Sequence, residues 1–76
     1  MDIATITANV ELNPQVRFGK PVVMGTRTTV AEVLEMLANG MSAAGIAENF
    51  PAIGAVQVRA CLLRAAYKES VVLLAA

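Results

Sequence analysis

Histidine and tryptophan are absent from this 76-residue chain, and cysteine occurs once, at Cys61. Without histidine, the commonest general base and metal ligand is missing. One cysteine excludes an intrachain disulfide and gives no reason to infer secretion. Cys61 sits within a helix-forming stretch with no histidine to activate it, so it reads as a small hydrophobe rather than a nucleophile. The acids do not gather into a catalytic pair, and Glu32 and Glu35 suit a capped helix start. We therefore expect no enzyme, no cofactor and no metal.

Long apolar runs are missing too. No stretch approaches the roughly 20 residues a membrane span needs, and VVLLAA at the end is far too short. MDIATITANVEL has neither the basic start nor the apolar run of a signal peptide. The expectation is a cytoplasmic protein without a membrane partner.

Charge is scarce, at 16% of residues with a formal sum of zero, so no global field draws the chain to nucleic acid or anionic lipid. The signs are nonetheless segregated. Asp2 and Glu11 open the chain, Arg17, Lys20 and Arg27 follow, then Glu32, Glu35 and Glu48, and Arg59, Arg64 and Lys68 make residues 55–68 basic ahead of Glu69. What is abundant is apolar residues, at 57%. A domain this small buries only roughly 60% of the surface its unfolded chain exposes. Part of that apolar content is expected to meet a second chain, in a homo-oligomer such as a dimer or in a complex.

Residues 3–8, IATITA, are β-branched and loosely alternating, which predicts a short strand. The following Pro14, Gly19, Pro21 and Gly25 predict turns around short extended pieces at 15–18 and 21–24, with Pro21 at a sheet edge. Val30, Val33, Leu34, Leu37 and Ala38 mark one face of a first helix, opened by a Thr29/Glu32 capping box and closed at Asn39-Gly40 in a Schellman ending. A second helix starts at the cap Ser42, with Met41 and Ile46 as a hydrophobic staple, and closes before Phe50-Pro51. A third runs from about Ala55 to Lys68. Its expected core stripe is Val56, Ala60, Leu63 and Tyr67. A second stripe holds Gln57, Cys61, Arg64 and Lys68, and an outer apolar one holds Val58, Leu62 and Ala65.

The division is thus one domain over 1–76: strands and turns over 1–27, a three-helix core over 28–68 and an apolar tail over 69–76. The second and third helices have helix-turn-helix proportions. In that motif Gln57 contacts adenine and Arg59 or Arg64 reaches guanine or phosphate of double-stranded DNA, with Lys68 and Arg27 as further DNA-facing candidates. An ordinary three-helix core with solvated polar residues, and an Arg27 paired with a carboxylate or carbonyl, are the alternatives. The outer stripe Val58, Leu62 and Ala65, with the tail residues Val71, Val72, Leu73 and Leu74, is the candidate protein interface, since bare apolar surface costs about 25 cal/mol per Å² in water. GKPVVMGTR does not have P-loop spacing, and Gly19 and Gly25 read as turn residues.

The run NPQVRFGKPVVMGTRTTVAEVLEMLANGMSAAGIAENFP resembles the small bacterial domain-of-unknown-function family 433, through GKP, GTR, GMS and FP in that order over residues 13–67. Gly19, Lys20, Pro21, Gly25, Thr26, Arg27, Gly40, Ser42 and Pro51 fill the pattern. The resemblance implies a mainly α fold: a short β element and a three-helix, homeodomain-like or winged-helix-like helix-turn-helix domain. It also implies a VapB-like antitoxin of a type II toxin–antitoxin system, which neutralises a PIN-like ribonuclease toxin through a terminal segment and represses its own operon. Two departures stand out: IGAVQV offers neither a Thr or Asp cap nor an acid before the third helix, and Gly45 replaces a polar residue early in the second. The expected function is an antitoxin-like binding module; a stand-alone DNA-binding regulator and a structural homodimer are the alternatives.

Overall fold

The computed structural model describes residues 2–70. Its order is α1 (Ile3–Asn9), β1 (Val10–Glu11), β2 (Val22–Val23), α2 (Val30–Ala38), α3 (Ala43–Asn49) and α4 (Ala55–Ser70), with a tight turn at Arg17–Gly19 between the strands. The chain is mainly helical, and the strands form a small antiparallel sheet pairing Val10 with Val23 and Glu11 with Val22. No helix among the described residues is long and apolar enough to cross a membrane.

The middle of the chain follows its local signals. The Thr29 hydroxyl accepts from the Glu32 N–H at 3.0 Å and the Glu32 carboxylate accepts from the Thr29 N–H at 2.9 Å, so both halves of the capping box form. At the other end of α2, Gly40 has φ +95°, Gly40 N–H donates to Leu37 O at 3.0 Å and Met41 N–H to Met36 O at 3.1 Å. That double closure is the expected Schellman ending. Ser42 then caps α3 by accepting from Gly45 N–H at 3.0 Å, and α3 stops at Asn49, ahead of Pro51.

The core is a single cluster of Val23, Val30, Val33, Ile46, Ile53, Val58 and Cys61, with Leu34, Leu37 and Met41 packed against it. Ile46, fully buried, contributes roughly 1.5–3 kcal/mol by leaving water. Met41 and Ile46 thus meet the core together, as a staple requires.

Three expectations need correction. IATITA is a helix, not a strand. Asp2 caps it, accepting from Thr5 N–H at 3.0 Å and from the Thr5 hydroxyl, and Thr7 and Asn9 side chains donate to carbonyls one turn back. Its most extensive neighbour is α4, and this tertiary contact overrides the β-branched preference. The expected extended piece at 15–18 is instead the tight turn with flanking bends, while 21–24 does contain β2.

The α4 stripe is also out of phase. Of the expected core stripe Ala60 is buried and Leu63 half-buried, but Val56 and Tyr67 are exposed at 57% and 47%, and Val58 and Cys61, expected on other faces, are buried. Val58, expected on an outer interface, lies in the core at 4% exposure. Val58 and Cys61, one turn apart, face α2 and α3, and α1 takes another side of α4. A helix with neighbours on two sides has no single core stripe. Within the described residues, the N-terminal helix is a second neighbour of α4. Leu62 stays exposed at 49% and Ala65 is half-buried. The tail positions Val71, Val72, Leu73 and Leu74 lie outside the described residues.

Candidate binding surface

Two surface features remain once the fold is accounted for. The first is the turn between the strands. Arg17, Phe18 and Gly19 have φ of 49°, 59° and 80°, three consecutive residues in the left-handed region. Two are not glycine, and each costs roughly 1–2 kcal/mol there. The turn persists because its neighbours hold it. Gly19 N–H donates to Val16 O at 3.1 Å, and Lys20 N–H to Arg17 O at 3.2 Å. The Arg17 guanidinium bonds both the Arg27 carbonyl at 3.0 Å and the Glu32 carboxylate at 2.8 Å. Glu32 is thereby shared between the α2 cap and the turn. Hydrogen bonds from the Thr29 N–H and hydroxyl, then the Arg17 charge, hold its carboxyl below the ordinary glutamate value. The result of all this restraint is that Phe18 is 97% exposed. No interior contact accounts for its conformation.

The second feature is a cleft of about 320 Å³ between the segment entering β2, the start of α2 and the second half of α4. Pro21, Val30, Ala31 and Leu34 give it apolar walls, and Lys20, Arg64 and Lys68 supply three cations. Neither ion pair among the described residues, Arg17–Glu32 or Arg59–Asp2, involves them.

The structure separates the basic and polar residues expected to touch DNA. Arg64 and Lys68 share the cleft with Lys20, which no sequence spacing joins to them. Arg27 is exposed, and only its carbonyl has a recorded partner. Arg59 approaches Asp2 at 3.6 Å. Gln57 serves the fold: its Oε1 accepts from Gly54 N–H at 3.0 Å and its amide reaches Asn9 at 3.3 Å. This is the reach-back half of a capping box with glycine at the cap position. Gly54 with Gln57 three residues on is the sequence signal for this start, in place of a Thr or Asp cap.

Most of the GKP, GTR, GMS and FP residues have structural work. Gly25, at φ +76°, donates its N–H to Glu11 at 3.1 Å. The Thr26 hydroxyl donates to Val23 O at 2.8 Å and accepts from Thr28 N–H at 3.0 Å. Pro21 offers its carbonyl to Val30 N–H at 2.9 Å. Lys20 and Arg27 are the charged pattern positions, and their side chains make no hydrogen bond or ion pair among the described residues.

Cys61 is buried, and that burial raises its thiol from 9.0 to about 11, which leaves almost no thiolate near neutrality. No three potential metal ligands come together among the described residues.

Residues 10–63 match the family described as "Protein of unknown function (DUF433)". The chain belongs to DUF433. The match covers well over half of it and takes in the sheet, the left-handed turn, α2, α3 and the first part of α4. Helix α1 precedes the DUF433 match, and Arg64 and Lys68 follow it. No curated protein and no solved structure matches the chain.

Proposed function

We propose that this DUF433 protein is a non-enzymatic binding module of the antitoxin kind, which pairs with a protein partner such as a PIN-like ribonuclease. The supporting observation is Phe18, a bulky aromatic held in left-handed backbone and pointed at solvent. Strain of this kind persists only where surrounding structure over-determines it, and it concentrates at functional positions. Burying a phenylalanine contributes roughly 1.5–3 kcal/mol, and aromatic anchors dominate protein interfaces. Leu12 at 65% and Met24 at 44% exposure belong to the same inter-strand region and its exit, so they add apolar surface near Phe18 in the chain. A buried, unactivated thiol and a chain without histidine support the non-enzymatic part.

A DNA-binding helix-turn-helix in α3 and α4 is the competing reading, favoured by the shared position of Lys20, Arg64 and Lys68. It is the weaker one. The early α4 residues that would read base edges are engaged within the molecule, Gln57 with Gly54 and Asn9, Arg59 with Asp2. A homodimer using exposed Leu62 and Phe18 is a further form of the protein-binding reading.

Co-expression with the product of the neighbouring gene separates these. A stable complex on co-purification is expected. Absence of a complex, with a shift of upstream duplex DNA that weakens steeply as salt rises, would replace the protein-binding reading with the regulator.

A further inference from the structure

We propose that the cleft between Pro21, α2 and α4 takes a short acidic, amphipathic peptide segment of a partner. An aliphatic or aromatic side chain would enter between Val30, Ala31 and Leu34, and flanking carboxylates would meet Lys20, Arg64 and Lys68. This rests on the binding-module reading in its general form and needs no ribonuclease.

Charge complementarity chooses the occupant. Arg64 and Lys68 stand four residues apart on α4, and like charges at that spacing destabilise a helix. Lys68 in the last turn is partly offset by the helix dipole, but Arg64 lies well inside the helix. Lys20 then adds a third cation from the other side of the cleft. Glu69, beside Lys68, and Glu35, beside Leu34, form no ion pair among the described residues, while Glu11 and Glu32, nearer Lys20 along the chain, are bonded to Gly25 and to Thr29 and Arg17. An external anion is what would balance the three.

The walls decide what kind of anion. A phosphodiester backbone asks for cations and hydrogen-bond donors, and gains nothing from Pro21, Val30 or Leu34. A peptide that carries carboxylates beside an apolar side chain uses both parts of the site. Its size, about 320 Å³, is at the lower end for a ligand pocket and suits one or two side chains rather than a folded domain.

The test is selection of short random peptides displayed on phage against the immobilised full chain. Enriched peptides should carry Asp or Glu beside Leu, Ile or Phe. A synthetic member should bind the wild type and weaken as salt rises. Lys20→Glu combined with Lys68→Glu, both exposed positions, should lower its affinity by at least about tenfold, or one decade in Kd. Ala31→Phe, also exposed, should fill the cleft and lower affinity without altering the charge. Circular dichroism of both variants should match the wild type. Should either variant misfold, Lys68→Gln and Ala31→Leu give the same readout.

Enrichment without acids, or equal binding by the variants, would overturn the proposal. So would displacement of the peptide by a duplex oligonucleotide that binds more tightly through the same residues. A neighbouring-gene product that co-purifies while selection fails sinks this inference alone. Successful selection with no such complex sinks the antitoxin reading alone.

Discussion

Between Thr29 and Pro51 every helix boundary is written in adjacent residues, whereas between Asp2 and Arg27 the conformation depends on partners far along the chain. Thr29 with Glu32, Gly40 with Met41, and Ser42 with Gly45 settle α2 and α3 within single turns. In contrast, α1 is held by its own cap and by α4, and the left-handed turn is held by Arg17 reaching Arg27 and Glu32. The difference teaches that the Thr29–Pro51 region serves the core, whereas the Asp2–Arg27 region gives Val22 and Val23 to the core and also presents the strained turn at the surface. Strain is absent from the one and concentrated in the other.

The comparison breaks most visibly at the core. Ile46→Ala should lower stability by about 3 kcal/mol in a urea titration, because it leaves a cavity at a fully buried position among Val33, Ile53 and Cys61. A loss below about 1 kcal/mol would mean that the core tolerates collapse there.

Glu32 joins the two regions and comes next. Glu32→Ala should cost about 1–2 kcal/mol, mostly through the lost cap, since the exposed ion pair to Arg17 adds little. Its carboxyl titrates below the usual value, so its contribution is present above the unfolded-state pKa and disappears as pH falls through the lower folded one. Urea melts taken from neutral pH downward should show the wild type and Glu32→Ala converging in acid.

Gln57 tests the attachment of α1. Gln57→Ala should cost about 0.5–1.5 kcal/mol and speed amide exchange at Gly54, whose N–H loses its acceptor. Unchanged stability together with a lost duplex shift would return Gln57 to DNA reading.

The same contrast governs what the residues disclose before folding. The period of Val30, Val33, Leu34 and Leu37, the Thr29 cap and the Gly40 ending identify α2 closely, because each acts on a neighbour within four residues. IATITA does not disclose α1, since its alternating β-branched residues point to a strand and the deciding contact is with α4. The phase of α4 is hidden for a related reason. Its burial follows from helices on two sides, so Val58 and Cys61 turn inward while Val56 and Tyr67 stay out. Of the candidate site, Arg64 and Lys68 were visible as a pair at helical spacing. Lys20 joins them only through the path of the chain around Pro21. Phe18 carried no warning, because nothing in Arg-Phe-Gly requires left-handed backbone at its first two residues.

Phe18→Asn offers the most direct test of the idea that the turn is strained in order to present an anchor. Asparagine tolerates left-handed backbone and removes the exposed ring. Urea titration and co-purification with the neighbouring gene product should be run on the same variant. Stability unchanged or raised by up to about 1 kcal/mol, with the complex lost, is the predicted result. A complex that survives intact, or a fold that weakens without Phe18, would contradict it.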